Sequence, residues 1–170
     1  MAAQFDTMHD LFVHELRGAY HMERRLVEIL DEMAMNATND RISTGFADHR
    51  DETRQHVERV EEAFRALGLE PEERQCAVVE ALDEEREIVE EGVTDPDLLN
   101  QFYLGAGMKT ERIEITTYDS LLTMADRLDL GDDVTDPLQR NRDSEDTALK
   151  ELKALSTASD LKDLWDSLTP

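Results

Sequence analysis

The spacing of hydrophobic residues predicts helices along almost the whole chain. Apolar side chains recur every three or four residues in five segments, which is typical of helices with one buried face. No segment alternates with a period of two, as a half-buried strand would. We therefore predict an all-α fold with helices at about 8–36, 42–67, 72–91, 96–128 and 134–155. The tail 156–170 is either a further short helix or irregular chain.

Residues at the ends of these segments support the assignment. Thr7 and Asp10 match a capping box before the first helix, and Asp95-Pro96 is a strong start for the fourth. Gly68 is a suitable C-terminal cap for the second helix. Pro71 is expected to help open the third.

Four of the predicted helices are long and one is short. The lengths favour two long hairpins, with the short helix in the connection between them. We therefore expect residues 1–170 to form a single domain, an antiparallel four-helix bundle with a helical crossover.

The inward stripe of each long helix carries acid near its midpoint. In an antiparallel bundle the midpoints share one layer, so these carboxylates should meet in the interior. The five residues are Glu23, Glu52, Glu111, Glu114 and Glu145.

Buried carboxylates are costly unless their charge is compensated. The inward stripes offer no lysine or arginine in that layer, so two divalent cations answer the charge best. Oxygen and imidazole donors suit iron, with manganese or zinc as alternatives. Any one of these glutamates could instead be a boundary residue, but acid at mid-length in four helices favours a metal site.

Two histidines share a face of the second helix with Glu52. His56 is the better candidate for a metal ligand, and His49 for a hydrogen-bonding support, although either could be a surface residue. His21 lies on another face and is not expected to be a ligand. Tyr118 follows Glu114 by one turn and either hydrogen-bonds a ligand carboxylate or fills the core.

The net charge narrows the classes of partner. Forty-one acids against eighteen bases give a formal charge of -23, which repels nucleic acid and anionic membranes. Because the acids are spread along the chain, they favour adaptation to concentrated salt over an acidic partner-binding surface. We expect a cytoplasmic protein of a salt-accumulating halophile. The single cysteine, Cys76, excludes an internal disulfide and a multi-cysteine metal site within one chain.

From Leu11 to about Leu155, the chain resembles the YciE/YciF family of ferritin-like stress proteins. The segments that carry the resemblance are Leu16–Leu26, His49–Thr53, Cys76–Glu80 and Glu111–Tyr118. The resemblance implies a ferritin-like fold, assembly as a homodimer and a dinuclear centre similar to that of rubrerythrins. It assigns as ligands Glu23, Glu52, the pair Glu111 and Glu114, and Glu145.

The chain departs from that pattern at three positions. Gln55 stands where rubrerythrins have a histidine three residues after the glutamate of the second helix. Leu149 stands where relatives tend to have Asp or His, and Arg112 replaces a histidine of the family.

Three functions are compatible with these features. The first is a di-iron carboxylate protein that consumes oxygen or peroxide, or handles iron under stress, with a separate electron donor. The second is a metal-free structural or interaction bundle without catalysis. The third is an iron-storage cage.

Overall fold

A computed structural model describes residues 5–157 of the chain and shows the predicted all-α fold. It contains five helices in the described range: α1 (Met8–Asn36), α2 (Asp40–Ala66), α3 (Ala77–Gly92), α4 (Pro96–Arg127) and α5 (Asp132–Ser156). The tail 156–170, for which a short helix was one of two expectations, lies outside this range except for its first two residues. Within it, no helix is long and apolar enough to cross a membrane.

Four long helices form the bundle. The main contacts join α1 to α2 and α4 to α5, as expected for two hairpins, and α2 to α5 and α1 to α4 between the hairpins. The short helix α3 packs against α4 and α1 on one side of the bundle. The two hairpins and the helical crossover were correctly predicted.

The helix ends show the expected capping. Thr7 and Asp10 form the capping box of α1, and the Asp95 side chain accepts a hydrogen bond from the Asp97 amide at the start of α4. Gly68 follows α2 with a φ of 71°, a left-handed conformation that glycine adopts without strain. Asp129 occupies the same position after α4, with a φ of 52°.

The third helix begins at Ala77, so the prediction that it starts at about residue 72 behind Pro71 was wrong. The preceding segment is tied to α1 by bonds that a helix would not make. The Arg74 amide donates to the Arg17 carbonyl over 3.2 Å, and the Cys76 amide donates to His21 Nδ1 over 3.3 Å. Backbone donors are therefore used to dock the crossover on α1.

Two apolar clusters fill the bundle, one toward each end. One cluster contains Phe12, Phe64 and Leu138, and the other contains Met33 and Leu104. The polar residues described next lie at the middle of the four long helices, between these clusters.

Candidate metal centre

Four glutamates and a histidine are buried at the middle of the bundle. No more than 2% of the surface of any of these residues is exposed. They come from all four long helices: Glu23 from α1, His56 from α2, Glu111 and Glu114 from α4, and Glu145 from α5. A sixth residue, His49 of α2, joins them with 11% of its side chain exposed. The structure thus brings together six of the seven predicted site residues.

The six residues form two overlapping groups of potential metal donors. His49, Glu111, Glu114 and Glu145 each offer a donor atom within 4.8 Å of the others, and so do Glu23, His56 and Glu145. Glu145 belongs to both groups. A carboxylate shared in this way is suited to bridging two ions.

Close contacts link the two histidines to the acids. His49 Nε2 lies 3.1 Å from Glu111 Oε1 and 3.7 Å from Glu145 Oε2. His56 Nδ1 lies 2.7 Å from Glu145 Oε1 and 3.5 Å from Glu23 Oε2. His56 Nδ1 and Glu145 Oε1 are close, but neither atom has a hydrogen-bond partner. Their approach is therefore a contact between charged groups and not an aligned hydrogen bond.

Many of the buried donor atoms have no hydrogen-bond partner. These atoms are Oε2 of Glu23, Glu111 and Glu114, both carboxylate oxygens of Glu145, Nδ1 of His49 and both ring nitrogens of His56. Buried polar atoms are normally satisfied, so a cluster of orphaned acceptors signals a missing counterpart. The donors converge on one another, and a cation is the counterpart that carboxylates and imidazoles share.

Of the two alternatives for Tyr118, a hydrogen bond to a site carboxylate or a role in core packing alone, the structure shows the hydrogen bond. Its side chain is fully buried, and its hydroxyl donates to Glu23 Oε1. Asn141 Nδ2 donates to the Tyr118 oxygen over 2.9 Å and to the His56 carbonyl over 3.0 Å. These bonds hold α1, α2, α4 and α5 in register around the site.

Asn141 is a supporting residue that the sequence analysis did not identify. It lies one turn before Glu145, on the inward stripe of α5, and is fully buried. An amide at an inward position beside a predicted ligand was the available signal.

Burial and charge shift the pKa values of the site strongly. Burial raises the pKa of Glu145 to about 8, although His56 partly opposes the shift. Burial, with Glu145 and Glu23 nearby, raises the pKa of Glu114 well above its usual range. Burial would lower the pKa of His56, but Glu23 and Glu145 outweigh it and raise that pKa to about 10. The metal-free site therefore holds protons.

Glu52 is not part of the cluster, and the prediction that it points inward was wrong. More than half of its side chain, 56%, is exposed, and its Oε2 lies 3.6 Å from His49 Nδ1 on the outer side of that ring. The buried face of α2 runs through His49, Thr53 and His56. Three residues turn a helix through about 300°, which is about 60° short of a full turn. Glu52, three residues after His49, therefore lies to one side of the buried face.

The six donors fit a pair of divalent ions. Four carboxylates with two neutral imidazoles carry four negative charges, which two divalent cations balance. One donor group supplies an imidazole and three carboxylates, and the other supplies an imidazole and two. Mixed oxygen and nitrogen donors from four helices are the ligand set of dinuclear carboxylate bundles.

Comparison with known proteins agrees with this architecture. Residues 7–164 match the family model described as a domain of unknown function, DUF892. This chain belongs to the DUF892 family. The family match, together with the similarity of the chain to protein YciF in sequence and in structure, confirms the resemblance to the YciE/YciF family.

The chain is also similar to protein YciF and to YcfI. It is 29% identical to protein YciF of Escherichia coli (strain K12) over 123 residues, which cover 72% of this chain and 74% of YciF. The crystal structure of the E. coli stress protein YciF superposes with a TM-score of 0.84 at 26% identity, covering 89% of this chain and 96% of that one. YcfI from Rhodopseudomonas palustris, whose suggested role is structural, has a TM-score of 0.87 at 28% identity, covering 94% and 99%.

Proposed function

We propose that this protein holds two metal ions, iron first among them, and uses them to react with oxygen or peroxide or to handle iron under stress. The observation that carries the proposal is the pair of buried donor groups that share Glu145. Their unpartnered atoms face one another in a layer that the bundle otherwise fills with apolar side chains.

The donor chemistry is compatible with iron. Carboxylates and imidazoles suit iron and manganese, and zinc accepts the same donors. Thiolate, which would favour softer metals, is not part of the layer, because the Cys76 backbone is bonded to His21 in the crossover segment. Manganese and zinc remain the alternatives to be distinguished by experiment.

The residues around the donors suit a reactive rather than a closed site. Ferrous ions bound by carboxylates supply electrons to dioxygen or peroxide. Tyr118 occupies one oxygen of Glu23 and leaves the other for a metal ion. Leu149 is buried one turn after Glu145 and offers no donor atom, so the chain supplies no ligand from this position.

Two partners belong to this proposal. The chain has one cysteine and therefore no four-cysteine electron-transfer module, so a separate protein or small molecule supplies electrons. Assembly as a homodimer is proposed on the resemblance to the YciE/YciF family. Sedimentation velocity in concentrated salt separates a dimer from a monomer or a cage.

The biological setting is proposed on similarity and charge. E. coli YciF is described as a stress protein, and we extend that role to this chain. The net charge of -23 suits the cytoplasm of a salt-accumulating halophile, where ions screen the repulsion between acids.

The test is metal stoichiometry combined with iron oxidation. Purified protein should bind two ferrous ions per chain without air, and admitting air should produce a ferric absorbance in the near ultraviolet. Glu145→Gln keeps the shape of the side chain but removes the carboxylate that both groups share, so it should lose both ions. Glu23→Gln should lose the ion held with His56 and keep the other.

The control is Glu62→Gln, the same chemical change at an exposed position of α2. It should bind two ions and develop the full absorbance. If wild-type protein retained no stoichiometric iron, manganese or zinc after loading, the dinuclear assignment would be lost.

One observation favours the second candidate, a metal-free structural bundle. The raised pKa values of Glu114, Glu145 and His56 let protons neutralise the layer without a metal. The suggested structural role of YcfI agrees with such a state. Elemental analysis of protein purified from its native host decides between the two: metal near two per chain supports the first function, and none supports the second.

A further inference from the structure

A small cavity lies beneath α3, between that helix and the α1 and α4 helices. Its volume is about 30 Å³. Its wall is largely apolar, with Leu26, Leu30 and Met33 from α1, Val79 from α3 and Ala106 from α4. A space of this size holds about one water molecule, or one small gas molecule.

The inner end of the cavity is the metal centre. Glu111 and Glu114 line it, and the Oε2 atom of each has no hydrogen-bond partner. His49 lines the cavity as well. A molecule in the cavity therefore lies next to the donor group formed by these three residues and Glu145.

The polar groups near the roof of the cavity already have partners. The Arg86 guanidinium pairs with Asp83 over 2.7 Å, with Glu90 over 2.8 Å and with Glu32 over 2.6 Å. Arg25 pairs with Asp83 from the α1 side. These ion pairs fix α3 over the cavity and leave little hydrogen-bonding capacity for a polar guest on the α3 side.

A second and much wider opening reaches the same histidine from another side of the bundle. A groove of about 640 Å³ runs between α2 and α5 and ends at His49. Its lining includes four acids: Asp40, Asp48, Glu52 and Glu151. The lining also holds Arg41 and the apolar side chains of Phe46, Leu152 and Leu155. The groove therefore differs from the cavity in its width and in its charged groups, which suit cations and water.

We propose that the cavity beneath α3 is a dioxygen site that serves the metal centre. Dioxygen is small, uncharged and a poor hydrogen-bond partner, so apolar walls suit it. Hydrogen peroxide finds polar partners only at the inner end, at Glu111, Glu114 and His49, and loses its hydration along the apolar walls. This inference rests on the proposed function, because it names which oxidant the centre receives and from which side.

Xenon tests the cavity without any metal. Crystals of the metal-free full chain pressurised with xenon should show the gas among Leu30, Val79 and Ala106. Ala106→Leu places a larger side chain in the cavity and should abolish xenon binding, and Ala81→Leu, the same change at an exposed site on α3, should leave it intact. No xenon in the wild-type cavity would overturn the proposal, even if the iron chemistry holds.

Oxidation kinetics test the link to the centre. In iron-loaded protein, Ala106→Leu should slow oxidation by dioxygen about tenfold, while two irons remain bound and oxidation by hydrogen peroxide keeps its rate. An unchanged rate with dioxygen, or equal slowing with both oxidants, would overturn the proposal. If Ala106→Leu does not fold, Val79→Leu narrows the same space from the α3 side and carries the same expectations.

If the protein binds no iron, the proposed function fails while the xenon result still stands by itself. Failure of the two proposals is therefore distinguishable.

Discussion

Tyr118 donates its hydroxyl hydrogen to one carboxylate oxygen of Glu23 and leaves the other oxygen of that carboxylate without a hydrogen-bond partner. The two residues come from α4 and α1, and both are fully buried. The tyrosine thereby decides which Glu23 oxygen is available to a metal ion.

Tyr118→Phe should weaken the ion held by Glu23 and His56 and spare the other. The variant keeps the ring in the core but frees the Glu23 carboxylate to rotate. Loss of such a supporting hydrogen bond typically costs about 10–100-fold in metal affinity. Titration with Mn²⁺, monitored by calorimetry and by electron paramagnetic resonance, resolves the affinities of the two ions.

Tyr103→Phe is the matched control for that experiment. Tyr103 is also a fully buried tyrosine on α4, but its hydroxyl bonds Glu90 of α3 rather than a site residue. It should lower stability without changing either affinity. Equal losses of affinity in the two variants would show that Tyr118 acts only through packing.

The stability of metal-free protein should fall as the pH rises from about 5 to 10. The pKa of Glu145 is raised to about 8 and that of His56 to about 10, so the folded state holds protons that the unfolded state releases at lower pH. Their stabilising contribution is complete below the unfolded pKa values and is lost as the pH passes the folded ones.

Metal binding should remove the dependence of stability on pH and should release protons from the site. A cation can occupy the carboxylates and imidazoles only after their protons leave. Calorimetric melting at several pH values, with and without metal, measures the first effect. Acid release into weak buffer at pH 7 measures the second. A metal-free melting temperature that is flat over this range would contradict the shifted pKa values.

The effect of Gly18→Ala on the free energy of unfolding should depend on whether Arg74 is present. A methyl group on Gly18 would overlap the Arg74 guanidinium, whose Nε donates to the His14 carbonyl over 3.1 Å. Gly18→Ala should therefore lower the free energy of unfolding by about 1–2 kcal/mol, through loss of charged hydrogen bonds. In an Arg74→Ala background, Gly18→Ala should instead raise the free energy of unfolding by up to about 1 kcal/mol, because alanine favours the helix.

A double-mutant cycle in urea measures this coupling. Similar effects of Gly18→Ala in both backgrounds would mean that Arg74 does not dock the crossover segment on α1.

Added salt should stabilise the folded protein because it screens the repulsion between its many acidic side chains. At 1 M salt the screening length is about 3 Å, against about 10 Å at 0.1 M, so repulsion within a chain of net charge -23 is largely removed. Thermal melting in potassium chloride from 0.1 to 2 M should show a steady rise.

A charge-reduced variant separates screening from general salt effects. Glu84, Glu87 and Glu91 are exposed on α3, and replacing all three with glutamine removes like charges spaced three and four residues apart. This variant should melt at a higher temperature in low salt and respond less to added salt. An identical salt response would assign the stabilisation to hydration rather than charge.

Most of the bundle and the centre of its site could be predicted from the sequence because both follow helical periodicity. Acid at the midpoint of an apolar stripe placed Glu23, Glu111, Glu114 and Glu145 correctly inside the bundle. His56 fell on the same pattern.

The misplaced features depend on contacts between helices. Glu52 and Thr53 both lie within reach of a stripe drawn through His49, and packing against α5 and α1 selects the threonine. The start of α3 is likewise set by bonds from Arg74 and Cys76 to α1. The cavity beneath α3 arises between three helices, and no single helix pattern encodes it.

Glu145 is the last of the six donors along the chain, and it is the one that both donor groups share. During synthesis, the donors of α1, α2 and α4 emerge before either group can be completed. Docking of α5 is therefore the event that completes both donor groups together, and under the proposed function metal uptake would report that the bundle has closed. A chain that lacks α5 would have neither complete donor group, so the proposed capture of a redox-active metal would depend on a finished bundle.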